Sequence, residues 1–308
     1  VSAGRSTFRF APSPNGWLHL GHAFSALLNF KAARQAGGHF LLRIEDIDQG
    51  RARAEFETAI QDDLAWLGLE WETPVLRQSE RFDVYRERIA ELDRLGLLYP
   101  AFMTRSEIRQ AVADAGDGWP RDPDNAPLYP GPERDWPEAR RKTEMAGGRP
   151  YSLRLDMARV LEGLPQLSWR EADPFGIAAD RQITADAGVW GDVIVARSDC
   201  PASYHLCVTV DDAHQGITHV IRGIDLGPST SVHRALQHLL GLPEPAYFHH
   251  RLVPDDSGEK LSKRAGSKSL RDLRSGGLSP DEVHQVLQPY LASPAPPRSA
   301  PGRQASPQ

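Results

Sequence analysis

The chain has 308 residues, of which 40% are hydrophobic and 25% charged, a balance that excludes wholesale disorder and fibrous repeats and leaves room for about two domains. Lys and Arg number 36 against 41 Asp and Glu, a formal net charge of −5. No global positive field therefore exists for indiscriminate binding of nucleic acid, and any such contact must be local.

Residues 8–14, FRFAPSP, read as a short strand stopped by Pro12 and Pro14, each of which lacks the donor that a ladder needs. After Asn15-Gly16, the apolar positions Ala23, Phe24, Leu27 and Leu28 recur at helical spacing until Gly37-Gly38, and residues 40–44 form a buried-type strand. Phe56, Ala59, Ile60, Leu64 and Leu67 predict a second amphipathic helix, and Phe82, Tyr85, Ile89 and Leu92 a third. Strand, helix, strand, helix is the order of a parallel α/β sheet. Between residues 99 and 150 prolines interrupt every candidate element except a short helix at 106–115, which marks an insertion. Strand-like runs return at 193–196, 204–210 and 217–222, followed by a helix through Val232, Ala235, Leu236, Leu239 and Leu240. Residues 294–308 hold five prolines and almost no large apolar side chain, so a disordered tail is expected. Cys200 and Cys207 fit neither a metal knuckle nor a disulfide framework and are expected as reduced thiols in a core. With no apolar signal segment in the first ten residues and no apolar run of 18, a cytoplasmic chain without membrane contact is expected.

Two segments carry chemistry. In PSPNGWLHLGH, His19 and His22 stand where a strand gives way to a helix, and Gly21 between them allows close approach to the backbone. A helix N-terminus offers unpaired N–H groups and partial positive charge, and imidazoles can donate to phosphoryl oxygens; the same string also suits a cap and a surface residue on an ordinary helix. The second segment, DDSGEKLSKR, places Lys260, Lys263 and Arg264 within five residues after a turn. Alone it is a solvated loop, but with His19 and His22 it suits a triphosphate whose leaving pyrophosphate gains charge.

HLGH and KLSKR resemble the HIGH and KMSKS signatures of class I aminoacyl-tRNA synthetases. Together with RFAPSPNGWLHLGHA, GGHFLLRIEDIDQGR, LAWLGLEW, VTVDDAHQGITHVIRGIDL and GEKLSKR, they resemble the glutamyl-tRNA synthetase catalytic core over roughly residues 8–270. The resemblance implies a Rossmann-like parallel sheet with an inserted subdomain and a short C-terminal helical stem-contact element. The expected parts are a first α/β half over 1–98, an acceptor-side insertion over 99–190, a second half over 191–253, a KMSKS-like loop and helical element over 254–293, and the tail over 294–308. A full synthetase continues with a large anticodon-binding region, whereas 44 residues follow Arg264. That plan resembles the stand-alone catalytic paralogues, the glutamyl-queuosine tRNA(Asp) synthetases, which activate glutamate without tRNA and join it to queuosine in the anticodon of tRNA(Asp).

The resemblance assigns Arg9, Ala11, Ser13, Glu45, Tyr204 and Arg222 to the L-glutamate pocket. Chemistry agrees with the types, since two carboxylates and an ammonium call for guanidinium forks and one counter-acid. A salt bridge from Glu45 to Arg43 or Arg51 is the structural alternative, and Asp46 and Asp48 are expected as structural acids. His19, Gly21, His22 and Lys263 would hold ATP, accompanied by Mg²⁺, with His19, His22, Lys260 and Lys263 catalytic. The paralogues' zinc ligands fall here on Ala101, Met103, Tyr129 and Glu133, and neither alanine nor methionine is a plausible zinc ligand; no structural zinc is expected. Over residues 99–150, eight cations and nine acids do not make a basic arm. Arg140, Arg141 and Lys142 remain candidates for phosphate contact or a solvated face, and Trp119 and Trp136 for base stacking. A monomer is expected. The competing readings are a truncated synthetase charging a tRNA 3′ end, a non-catalytic regulatory paralogue, and another HIGH-type nucleotidyltransferase.

Overall fold

The computed structural model describes residues 4–254 and 268–296. In chain order the elements are β1 (Thr7–Phe10), α1 (Leu20–Gln35), β2 (His39–Ile44), α2 (Ala54–Trp66), β3 (Glu72–Arg77), α3 (Phe82–Arg94), β4 (Leu98–Ala101), α4 (Arg105–Asp114), α5 (Glu138–Ala146) and β5 (Ser152–Leu155). They continue with α6 (Met157–Gly163), β6 (Ser168–Glu171), β7 (Arg181–Thr184), β8 (Ile194–Arg197), α7 (Tyr204–His214), β9 (His219–Gly223), α8 (Thr230–Leu239), β10 (Ala246–His250), α9 (Leu270–Ser275) and α10 (Pro280–Ala292).

β1, β2 and β3 pair in parallel in that order, with Phe8 opposite Phe40 and Phe10 opposite Leu42. On the other side, β9 and β10 pair in parallel, β10 continues parallel to β6, and β7 closes that sheet antiparallel. The two sheets meet at β1 and β9, where the Thr7 N–H donates to Thr218 Oγ1 at 2.8 Å and the Thr218 N–H to the Thr7 carbonyl at 3.1 Å. Strand order thus runs away from this seam in both directions, a topological switch point of the kind at which α/β sheets bind ligands. Phe24, Leu28, Phe40, Leu42 and Ile44 pack α1 onto this sheet, and Val283 and Leu287 of α10 extend the same core.

The expected insertion carries its own antiparallel sheet, ordered β4-β5-β8. The sheets interleave across residue 190: β6 and β7 join the sheet of β9 and β10, while β8 completes the insertion's. Pro100 is tolerated because β4 is an edge strand. α5 is a second helix in a stretch expected to hold only one. Its sequence, EARRKTEMA, has no apolar stripe to read, and Pro137 stands at its N-cap.

The run 204–210, expected as a strand, is the helix α7. Leu206, Cys207, Val208 and Val210 are all buried, and α7 packs between α3, α8 and β8. A run that is apolar all round carries no period to separate strand from helix, and tertiary burial overrides the β preference of its valines and threonine. Both cysteines are free and buried. The expected disorder does not extend to residues 294–296: the Arg251 N–H donates to the Pro294 carbonyl at 2.8 Å, and Ala295 packs on the core. The rest of the tail, 297–308, lies outside the described residues. Among the described residues, no helix is long and apolar enough to cross a membrane.

Candidate active site

The C-terminal ends of β1 and β9 open into a cavity of about 600 Å³ at the switch point. Arg9, Ala11, Ser13, His19, Gly21, His22, Glu45, Tyr204 and Arg222 all line it, so every predicted position within the described residues comes to one place. Lys260 and Lys263 lie outside them.

α1 starts beneath this cavity. His19 is its N-cap, accepting at Nδ1 from the Gly21 N–H at 3.1 Å, while His22 Nδ1 accepts from the His19 N–H at 3.2 Å. The two rings lie 3.8 Å apart. Because each Nδ1 accepts, each neutral imidazole carries its proton on Nε2, and the pair can donate. The capping reading is realised, and the same two residues line the cavity.

Alternation along β1 sends Phe8 and Phe10 into the apolar core and buries Arg9 on the other face, which obliges Arg9 to find acids. Its Nε donates to Asp212 Oδ1 at 2.9 Å, Arg43 Nη1 donates to the same oxygen at 2.8 Å, and Arg43 Nη2 reaches Glu45 Oε1 at 3.2 Å. Arg9, Asp212, Arg43 and Glu45 thus form a buried chain of alternating charge. Burial works against the Arg43 charge, yet Asp212, Glu45 and Asp211 hold it above its ordinary value. Burial likewise raises Glu45, with Arg43 and Arg9 pulling it back. For Asp212 the two arginines prevail over burial and hold the carboxyl below its usual range. The Glu45–Arg43 bridge exists, and Glu45 lines the cavity as well. Arg51 pairs with Asp48 at 2.7 Å, and Asp46 accepts from the Ser79 N–H and hydroxyl.

Arg222 is different. It is 5% exposed, and among the described residues no carboxylate stands at ion-pair distance from it. Its donors go to Thr230 Oγ1 at 2.7 Å, His233 Nδ1 at 3.2 Å, His249 Nε2 at 3.3 Å and the Tyr204 hydroxyl at 3.4 Å. Of the two expected forks, then, Arg9 is committed to Asp212, while Arg222 has no carboxylate partner among the described residues. Burial lowers His205 and His250 to about 4 and His233 well below its ordinary value. Below about pH 6.5 the unfolded chain binds protons that these native imidazoles refuse, so stability falls as pH drops toward 4. The urea midpoint is expected to be lower at pH 5 than at pH 7; equal midpoints would contradict their neutral burial.

A second cavity of about 510 Å³ adjoins the first, sharing Ser13, Asn15, Glu45 and Tyr204, and is walled on its far side by Leu128, Tyr129 and Arg154 of the insertion. The expected zinc positions are knitted by hydrogen bonds instead. The Tyr129 hydroxyl donates to Glu133 Oε2 at 2.7 Å, the Phe102 N–H to Glu133 Oε1 at 2.9 Å and the Met103 N–H to the Tyr129 oxygen at 3.4 Å, with Ala101 packed against Tyr129. One carboxylate and a phenol, with Ala101 and Met103 in the other places, do not fit a tetrahedral zinc set.

The RNA-contact candidates are engaged internally. Trp136 lies between Phe102 and the Arg140 guanidinium, Arg141 donates to the Glu133 and Arg134 carbonyls, and Lys142 pairs with Glu138. Trp119 donates to the Leu128 carbonyl. Sequence reading missed Asp212, His205, His233, His249 and Thr230 as parts of the site. The signal for the first was present: two adjacent acids in the apolar run VTVDDAH must be buried and therefore paired.

Paired imidazoles at a helix N-terminus beside a switch point define the nucleotide-binding core of a class I aminoacyl-tRNA synthetase, and residues 6–288 match the family model of tRNA synthetases class I (E and Q), catalytic domain. A glutamyl-Q tRNA(Asp) synthetase of Rhodobacter capsulatus is 44% identical over 284 residues, covering 91% of this chain and 98% of that protein, and one of Nocardia farcinica is 41% identical over 94% and 86%. The crystal structure of a glutamate-tRNA synthetase from Elizabethkingia anophelis superposes with a TM-score of 0.68 at 28% identity, over 89% of this chain and 54% of that one; the chain spans about half of that longer synthetase. The chain belongs to the glutamyl-Q tRNA(Asp) synthetase family, within the class I (E and Q) ligases.

Proposed function

We propose that the chain activates L-glutamate with ATP and transfers the glutamyl group to the queuosine base of tRNA(Asp). The observation that carries the glutamate reading is Arg222, a buried guanidinium without an acid partner among the described residues, facing the cavity that also receives the N-terminus of α1. A free cation of this kind suits a substrate carboxylate. Glu45 would balance the substrate ammonium, Tyr204 would supply a hydroxyl and an aromatic wall, and Arg9, Ala11 and Ser13 would shape the floor.

In the first step the glutamate α-carboxylate attacks the ATP α-phosphorus in line. The bond to the bridging oxygen breaks, and pyrophosphate departs with its electron pair. Nε2–H groups of His19 and His22 would donate to the phosphoryl oxygens and the ribose side, and Gly21 would let the nucleotide approach the helix. Mg²⁺ accompanying the triphosphate would supply charge neutralisation. Lys263, with help from Lys260, would take up the charge that grows on the pyrophosphate. In the second step a hydroxyl of the acceptor would attack the glutamyl carbonyl through the adjoining cavity; the bond from that carbon to the phosphate oxygen breaks, and AMP leaves with the electron pair as the hydroxyl gives up its proton.

The test is transfer of radiolabelled glutamate, with ATP and Mg²⁺, to matched tRNA(Asp) with and without queuosine, followed by nuclease mapping. Label confined to the queuosine-bearing anticodon is expected. Label at the 3′ terminal adenosine would instead identify a charging enzyme, and a chain without ATP exchange would be a non-catalytic paralogue.

A further inference from the structure

Arg222 is surrounded by imidazoles whose roles are set by their outer partners. His249 Nδ1 lies 2.8 Å from Glu171 Oε2, and the His249 backbone N–H donates to Glu171 Oε1 at 2.7 Å. Burial works against the Glu171 charge, yet its bonds to His249 keep the carboxyl below its usual range. An ionised Glu171 accepts, so the His249 proton sits on Nδ1 and Nε2 is left to accept from Arg222 Nε. The Thr230 hydroxyl completes the ring, accepting from Arg222 Nη2 and donating to His249 Nε2 at 3.2 Å. On the other side His233 accepts from Arg222 at Nδ1, so its proton is on Nε2, which donates to His205 Nδ1 at 3.2 Å. Glu171 reaches Arg222 through the His249 imidazole.

We propose that His233 and His249 are positioning residues that determine substrate specificity: they hold the Arg222 guanidinium with neutral acceptors alone, so that its charge is compensated by the side-chain carboxylate of the amino acid and not by the protein. The inference rests on the glutamate reading above. A buried guanidinium already paired with an acid would accept an amide as readily as a carboxylate, whereas an uncompensated one left facing an amide keeps its desolvation cost. The histidines thus act through Arg222, refusing glutamine by withholding a negative charge.

Glutamate- and glutamine-dependent ATP–pyrophosphate exchange in variants tests this, with thermal melting of each variant as the check on folding. His233→Leu removes one acceptor from a charged donor and is expected to raise the KM for glutamate roughly tenfold to hundredfold, with the KM for ATP moving less than about threefold. His233→Asn places a carbonyl oxygen near the lost Nδ1 and is expected to bring the glutamate KM back to within about threefold of the parent. His233→Asp supplies the missing anion from within and is expected to shrink the glutamate-over-glutamine ratio of kcat/KM by about tenfold or more. An unchanged glutamate KM in a folded His233→Leu, or an unchanged ratio in His233→Asp, overturns the inference while leaving the glutamate reading intact. Should His233→Leu not fold, His233→Asn and His233→Asp carry the same decision. A parent chain that shows no glutamate-dependent exchange overturns the glutamate reading and the inference together.

Discussion

Asp212→Ala is expected to cost about 3–5 kcal/mol of folding stability, the range for removing one partner from a buried ion pair. Asp212 is 5% exposed and joins Arg9, also 5% exposed, to Arg43, which is fully buried. Taking away the carboxylate leaves two guanidinium groups beside each other, with Glu45 and Asp211 as the remaining negative charges acting on Arg43, whose side chain is wholly buried. Asp212→Asn keeps acceptor geometry for one arginine but not the charge, and should fall between the parent and the alanine variant. The effect has a pH signature. Arg9 and Arg43 hold the Asp212 carboxyl below its ordinary value against the pull of burial. Its contribution is therefore full above the unfolded value of about 4 and is lost as pH falls through the lower native one. Urea unfolding at pH 7 is the measurement, and a loss of less than about 1 kcal/mol would mean that Arg9 and Arg43 do not depend on this acid.

The parts of this fold legible in the sequence are those with a local marker. Ala23, Phe24, Leu27 and Leu28 recur at helical spacing until Gly37-Gly38, which announces α1, and Pro12 and Pro14 bound β1. α7 carries no such marker: residues 206–212 are buried on every side, so periodicity has nothing to report. α5 escapes the sequence because EARRKTEMA has no pair of large apolar side chains at helical spacing, whereas α4, which buries nothing either, has Ile108 and Val112 four apart. The same logic divides the site. His19, Gly21 and His22 are contiguous, and a motif names them; Arg9, Glu45, Tyr204 and Arg222 come from the resemblance and meet in one cavity. Asp212, His233 and His249 are assembled across α7, α8 and β10 from positions with no local pattern, and only the fold brings them to Arg9 and Arg222. Their type was nonetheless a clue, since two histidines and an acid in the apolar second half cannot be buried without partners.

Lys263→Ala is expected to lower ATP–pyrophosphate exchange on the order of 10²–10³-fold while glutamate binding changes little, by analogy with the loss of one preorganised charge-stabilising donor. The cavity explains the asymmetry between the two readouts. Glutamate would be held by Arg222, Glu45 and Tyr204 at the ends of β9, β2 and the start of α7, and none of these contacts involves residues 255–267. The flanks of that segment are nevertheless fixed beside the phosphate end: Leu252 and Val253 line the cavity, and Ser269 bridges to His19, with the Leu270 N–H donating to the Leu18 carbonyl at 2.7 Å. The role proposed for Lys263 is to meet a triphosphate lying on His19 and His22. Pyrophosphate carries more charge in the transition state than in bound ATP, so an ammonium placed there stabilises the transition state selectively and its loss appears in kcat. Protection of the variant by glutamate in a thermal melt, set beside its exchange rate, separates binding from chemistry. Exchange at the parent rate would remove Lys263 from the reaction, and glutamate protection lost together with exchange would place it in the amino-acid pocket instead.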